Sequence, residues 1–387
     1  MHASILQSLA EISAEQWNRA AGEHPFLRHE FLHALERTGC VGADSGWEPC
    51  HLVLRESPGG PLLGAVPLYR KHHSYGEYVF DWAWADAYAR HGRPYYPKLV
   101  AAVPFTPATG PRLLTAPDAD RARVARRLID GALEQAERSR ASSLHWLFPT
   151  GAEAELLGAR GLLTRTGCQF HWSNRGYRDF QDFLATFASQ KRYNLKRERR
   201  QVREAGVELE AVEGGAVTPA LWDTFYRFYR ATVRAHGGIA YLTRAFFHAL
   251  GAAMAAQVVM FVARRGREIV GTALALRGGD TLYGRYWGGR PDIPGLHFET
   301  CYYAPVEYCI AAGIARYEAG AQGGHKIARG FAPTVTWSAH WLRDPEFRRA
   351  VAAYLERERA HVGATIDELN EHLPFRRGQR PPAAPAE

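Results

Sequence analysis

Two stretches of this chain repeat one plan, and the repeat narrows the folds open to it. In the first stretch, residues 51–55 read as a strand, Ser57-Pro58-Gly59-Gly60 as a turn, and residues 62–69 and 78–84 as two further strands. In the second, residues 258–263 read as a strand and Arg265-Gly266 as a turn. Residues 269–276, a Gly278-Gly279-Asp280 turn and residues 281–286 complete it. Apolar runs broken by glycine at this spacing mark consecutive antiparallel hairpins. Gly64-Ala65 and Gly271-Thr272 hold the same place in the two central strands.

A helix follows each meander. Residues 121–138 carry Val124, Leu128, Ile129 and Leu133 at helical spacing, and residues 298–317 carry Tyr302, Val306, Cys309, Ile310 and Ile314. A short strand, residues 143–148, follows the first of these helices, and amphipathic helices precede the meanders at 26–37 and 219–235. The order of helices, three antiparallel strands, helix and strand therefore occurs twice. A length of 387 residues suits two domains better than one. We expect an α/β (α+β) chain of two similar domains, residues 1–165 and 166–375, each a mostly antiparallel sheet flanked by helices. Residues 376–387, rich in proline and alanine, read as a disordered tail.

With 46% apolar and 23% charged residues, the composition is globular. No apolar run approaches the roughly 18–20 residues of a membrane span. The N-terminus lacks a basic region followed by an apolar stretch, so a cytoplasmic protein is expected. The five cysteines (Cys40, Cys50, Cys168, Cys301, Cys309) form no Cys-x-x-Cys pair, which argues against a disulfide framework or a structural zinc site. Lys and Arg exceed Asp and Glu by 48 − 40 = 8, which favours anionic partners. Gly-x-Ser-x-Gly, Walker and dinucleotide-binding motifs are absent, leaving hydrolase, NTPase and dehydrogenase readings without support.

Five strings sharpen the reading: HSYGEYVFDWAWADAY (73–88), PFTPATGPRLL (104–114), GRYWGG (284–289), LHFETCYY (296–303) and GAQGGHKIARGFAPTVTWSAHW (320–341). With the repeated element order, they resemble the FemAB-like (FemABX) family of predicted N-acyltransferases, whose fold is a tandem GNAT pair. The resemblance covers most of residues 25–355. It implies two GNAT-like domains and transfer of an acyl group, in this branch an aminoacyl group, to an amine. The implied donor is aminoacyl-tRNA or another anionic acyl carrier. The implied acceptor is a small amine or a peptidoglycan precursor, and neither metal nor cofactor is implied. The family pattern also has a glutamate where this chain has Gly324.

Three groups of residues carry chemistry. The segment 190–204 holds Lys191, Arg192, Lys196, Arg197, Arg199, Arg200 and Arg203 against Glu198 and Glu204. Leu195 and Val202 stand seven apart, so a helix here has a narrow apolar stripe and a broad basic surface. Lys191, Arg192, Lys196, Arg199, Arg200 and Arg203 are assigned to a polyanion, with tRNA the implied one. The competing reading is a solvated face laced by helical salt bridges.

In the first half, His73, Glu77, Asp81 and Asp86 lie among aromatics. Strand alternation would put Tyr75, Glu77, Val79 and Asp81 on one face. A buried carboxylate there would have a raised pKa and suit a general base, so Glu77 and Asp81 are candidate catalytic groups, with His73 and Tyr75 as substrate contacts. The plain alternative is a structural carboxylate. In the second half, Glu299 is the third candidate base, and Arg285, Tyr286, His297, His325, Lys326 and Arg329 are candidate substrate contacts. Lys326 and Arg329 suit an oxyanion or a phosphate. Strand alternation lets only one of Arg285 and Tyr286 face a cleft. A zinc site from His297, Glu299 and His325 matches no usual ligand spacing.

The Arg/Gln-x-x-Gly-x-Gly/Ala loop that holds the pyrophosphate of acyl-CoA is missing at both equivalent places, 84–93 and 287–297. An acyl-CoA-dependent GNAT acting on a small metabolite is thus the second reading. A non-catalytic module for cell-wall precursor or nucleic acid is the third. Trp337 and Trp341, four apart, read as packing residues on a helix.

Overall fold

A computed structural model describes residues 1–321, 323–376 and 378–379. The expected tail, 376–387, lies mostly outside the described residues. The chain divides into two compact units. One comprises Met1–Cys168 and Val335–Thr365; the other comprises Gln169–Thr334 and, among the described residues, 366–376 and 378–379. The expected division at 165/166 kept residues 335–365 in the second domain, but the end of the strand Ala332–Leu342 pairs with Ser143–Leu147 of the first.

In the first unit, His2–Leu6, His51–Arg55, Leu62–Val66 and Leu114–Thr115 form an antiparallel sheet in that order. The expected strand 62–69 divides at Pro67: Leu62–Val66 stays in this sheet, and Leu68–Lys71 joins Trp47–Pro49 and Lys98–Ala101 in another. Proline has no N–H to give a ladder, so the chain changes partners there. Lys98–Ala101 then runs parallel to Ser143–Leu147. Helix Arg121–Arg138 buries Val124, Leu128 and Ile129 against Leu52, Leu54 and Val66.

The expected strand 78–84 is a correction. Gly76 and Tyr78 have positive φ (80° and 63°) and turn the chain, and Trp82–Arg90 is a helix with Asp81 at its N-cap. The alternation Trp-Ala-Trp-Ala-Asp-Ala imitates a strand, but alanine is the best helix former, and the preceding turn breaks any extended register. The third strand of this meander is Lys98–Ala101 instead.

The second unit keeps the expected meander. Val258–Arg265, Glu268–Gly278 and Thr281–Gly289 pair antiparallel, with Val207–Glu213 at the outer side of the first. Arg316–Glu318 lies parallel to the start of Thr281–Gly289, and the end of Leu163–Ser173 pairs with it in turn. Helix Pro219–Ala235 crosses closely: a Cβ on Gly288 would stand 2.4 Å from the Phe228 carbonyl oxygen, so only glycine fits.

The expected helix 298–317 ends early. It runs as Leu296–Phe298, a π-helical turn Glu299–Tyr303, and Ala304–Ala311. Gly313, at φ 65°, turns the chain into the strand Arg316–Glu318. Pro305 accounts for the π turn. Its absent N–H cannot bond the Cys301 carbonyl, which instead accepts the Tyr317 hydroxyl at 2.6 Å. Trp337 and Trp341 sit on the strand Ala332–Leu342, not on a helix. Among the described residues, no helix is long and apolar enough to cross a membrane.

Candidate functional site

The second unit holds an opening between strands. Thr281–Gly289 pairs with Arg316–Glu318 only over Thr281–Tyr283, after which the two are no longer bonded. A cavity of about 80 Å³ lies beyond that point, lined by Arg285, Tyr286, Trp287, His297, Cys301, Tyr302, Tyr317 and Ala319 among others. Both Arg285 and Tyr286 line it, against the one-face expectation. The ladder skips from Leu274↔Tyr286 to Ala275↔Gly284, so Arg285 is the extra residue of a β-bulge and the alternation resets there.

Aromatic packing fixes the cavity wall. His297 stacks on Trp287 with ring centroids 4.5 Å apart. Burial brings its imidazole down to about 4, so it is neutral at pH 7. His325 shares a 2.9 Å hydrogen bond with the Tyr302 hydroxyl. These residues meet because the helix beginning at Leu296 packs on the open strand, and the short helix Gly324–Arg329 sets His325 against His297, Phe298 and Tyr302 of that helix.

Lys326 is 1% exposed, and its ammonium donates to the Gly320 carbonyl at 2.6 Å. Burial lowers it to about 8. The ionisable group beside it is the Cys301 thiol, which burial keeps neutral, and not a carboxylate. Arg329 lies over the Phe298 ring at 3.4 Å, donates to the His325 carbonyl and pairs with Glu198 at 2.8 Å. Gly324 opens the short helix, and a Cβ there would meet nothing within 4 Å.

Helix Ser189–Glu204 is two-sided. Leu195 and Val202 face the core, as expected from their spacing. Glu198 and Arg199 face the protein too. Glu198 holds Arg329 and the Tyr303 hydroxyl. Arg199 makes a bidentate contact with Glu299 (Nε to Oε2 at 3.1 Å, Nη2 to Oε1 at 2.7 Å), reaches Glu307 at 2.7 Å and lies over the Phe180 ring. Arg199 is therefore not available to a polyanion, a correction to its assignment: on the helix it falls between the apolar stripe and the solvent face. Lys191, Lys196, Arg200 and Arg203 are exposed and Arg192 half-exposed. Arg192, Lys196, Arg200 and Arg203 form one ridge at spacings of three and four.

Glu299 is 5% exposed, and its carboxylate is occupied by Arg199. Burial raises it, and Arg199 works against that rise. It lines a groove of about 600 Å³ on the other side of the helix from His297 and is not among the groups lining the small cavity.

Glu77 and Asp81 lie in the first unit, in a buried ionic cluster. The Lys98 ammonium donates to Glu77 and Ser74 at 2.8 Å and to Asp81 at 2.5 Å. Lys71 is 3.9 Å from Glu77 and 3.9 Å from the centre of the Trp47 ring. The Tyr95 hydroxyl donates to Asp81, and a chain through His145 and His340 ends on Ser338. Burial raises Glu77 to about 7 and lowers Lys71 to about 7. For Asp81 burial pushes upward, but Lys98 beside it holds the carboxyl well below its usual range.

Both carboxylates are buried, as expected of a raised base, and Glu77 is raised, but Lys98 engages both, and the strand face on which they were placed is corrected to a turn and a helix N-cap. The alternation argument failed with the strand, and sequence did not reveal Lys98, 17 residues from Asp81. His73 donates to the Ser45 carbonyl at 2.9 Å and accepts from the Tyr75 N–H. Tyr75 is exposed and packs edge-on to Trp82. These two do not join the cavity group.

The fold is the tandem GNAT type: two α/β units, each with a meander followed by a helix and a strand. Among solved structures it resembles the C-terminal domain of a candidate lysylphosphatidylglycerol synthetase from Agrobacterium fabrum (TM-score 0.56, 11% identity, 90% of this chain and 97% of that one). It also resembles FemX (TM-score 0.53, 11% identity, 91% and 100%) and L-PGS from Bacillus licheniformis (TM-score 0.50, 10% identity, 80% and 89%). No curated protein matches the chain in sequence. Residues 8–377 match the model of the FemAB-like family of peptidoglycan biosynthesis/recognition, and the chain belongs to that family.

Proposed function

We propose that this protein is an aminoacyltransferase that moves an aminoacyl group from aminoacyl-tRNA to an amine of a peptidoglycan precursor. The observation that carries the reading is the cavity where Thr281–Gly289 parts from Arg316–Glu318, walled by His297, Tyr302 and the bulged Arg285–Tyr286; buried Lys326 is outside the lining but near enough to act on His297 and Cys301. Its volume of about 80 Å³ suits a small acyl group, not a whole carrier. The carrier would lie outside, its phosphates on Arg192, Lys196, Arg200 and Arg203.

In the step we infer, the amine nitrogen attacks the ester carbonyl carbon. A C–N bond forms and the ester C–O bond to ribose breaks. His297, neutral at pH 7, takes the proton that the amine sheds. A group brought down to about 4 is a strong acid once protonated, so it can pass that proton to the departing ribose oxygen. Lys326 faces the charge that develops on the carbonyl oxygen. Holding amine and ester together supplies much of the rate.

Acyl-CoA finds less support. The stretch before Leu296 carries Asp292, and Arg290 is committed to Asp292 and Glu268. A pyrophosphate would meet negative charge there. The test is incubation with radiolabelled aminoacyl-tRNA and a UDP-muramyl-pentapeptide, with acetyl-CoA in a parallel tube. A product heavier by one aminoacyl residue is expected, and the same rate without tRNA, or an acetylated product alone, would overturn the reading.

A further inference from the structure

Val207–Glu213 is the outermost strand of the second unit's meander, paired along all seven residues with Val258–Arg265. Among the described residues no other strand pairs with its far side. Grooves open on both faces of this strand. On one face, a groove of about 600 Å³ follows residues 207–211 and is walled by Arg199, Val202, Glu299, Glu307 and Tyr308 among others. On the other, a groove of about 370 Å³ is walled by Glu210, Val212, Leu221 and Ile269 among others.

The register bears out the two faces. Leu209, Ala211 and Phe261 share one side of the ladder; Glu210, Val212 and Arg264 share the other. An added strand would therefore bond along the open edge and drop alternate side chains into the two grooves.

Charge selects the occupant. The strand reads Val-Glu-Leu-Glu-Ala-Val-Glu, with three carboxylates and no cation. Glu299 and Glu307 in the larger groove are balanced by Arg199, which binds both, and by Arg203, which also lines it, so the excess of negative charge is the strand's own. Arg264 offsets Glu210. A second copy of this strand would set glutamate against glutamate, and such edge charges disfavour self-pairing. We propose that the Val207–Glu213 edge binds an extended peptide segment rich in lysine or arginine, which joins the sheet as a further strand.

The probe is a fluorescein-labelled heptapeptide of alternating lysine and threonine, titrated by anisotropy into the full chain. Saturable binding that weakens with salt is expected. The same peptide N-methylated at alternate residues should bind at least tenfold more weakly, because it cannot complete the ladder. The glutamate–threonine peptide should not bind. Glu208→Lys with Glu307→Lys should remove binding. If the N-methylated peptide binds as well as the parent, the contact is charge attraction alone and strand addition is refuted. If the parent peptide does not bind, the whole proposal falls. The peptide series uses the unaltered protein, so it stands even if the double variant folds poorly.

Discussion

Replacing Lys98 by methionine tests the buried ionic cluster directly. In the folded chain Lys71 and Lys98 balance Glu77 and Asp81, and none of the four is more than 4% exposed. Methionine fills much of the lysine volume but leaves two carboxylates facing one ammonium that is 3.9 Å from Glu77. Removing one partner of a buried ion pair costs about 3–5 kcal/mol. Burial already raises Glu77 to about 7, so the variant can shed part of this cost by protonating Glu77. The loss should accordingly be smaller at pH 5 than at pH 8. Adding Asp81→Asn restores one positive and one negative charge and should recover more than half of the loss.

The wild-type sign follows from the same groups. Glu77 has a raised folded value, about 7 against 4.5, so the fold holds the extra proton and this contribution declines as pH rises through that window. Lys71 sits at about 7 against 10.5, so the unfolded chain binds more protons and stability recovers between those values. Hydrogen exchange of peptides covering 98–101 and 143–147 reads the loss locally, which suits a chain of two units. A Lys98→Met loss below about 1 kcal/mol, or one independent of pH, would refute the buried-cluster reasoning.

The basic helix separates two kinds of arginine. Arg192, Lys196 and Arg200 replaced together by glutamine should weaken RNA binding and flatten its salt slope with little change in melting, since exposed charges add little to folding. Arg199→Gln alone should destabilise by about 3 kcal/mol because it strands buried Glu299, and equal melting of wild type and variant would refute that. Lys326→Met should cut turnover roughly 10²-fold or more, the scale of a lost oxyanion donor, while raising the melting temperature because a buried ammonium without a carboxylate partner is removed. A variant that loses stability instead would make Lys326 structural. His297 at about 4 against 6.5 means that the unfolded chain binds more protons between those values, so stability falls as pH drops through them. Denaturation of His297→Gln across pH 6.5 to 4 should show a shallower decline than wild type.

Periodicity along the sequence determined the second meander, helix 121–138 and the inward-facing Leu195 and Val202, because these depend on side chains adjacent in one element. The family strings determined the tandem fold. The alternation at 82–87 misled, since the same pattern serves a strand or an alanine-rich helix and only the turn at Gly76–Tyr78 decides between them. Tertiary structure alone decided the roles of the charged residues. Lys98 reaches Glu77 and Asp81 across a turn, Arg199 reaches Glu299 over 100 positions, and the bulge at Arg285 depends on its partner strand. A charge in the sequence has no fixed role until folding places its counter-ion, and burial then makes that partner govern whether it can serve chemistry at all.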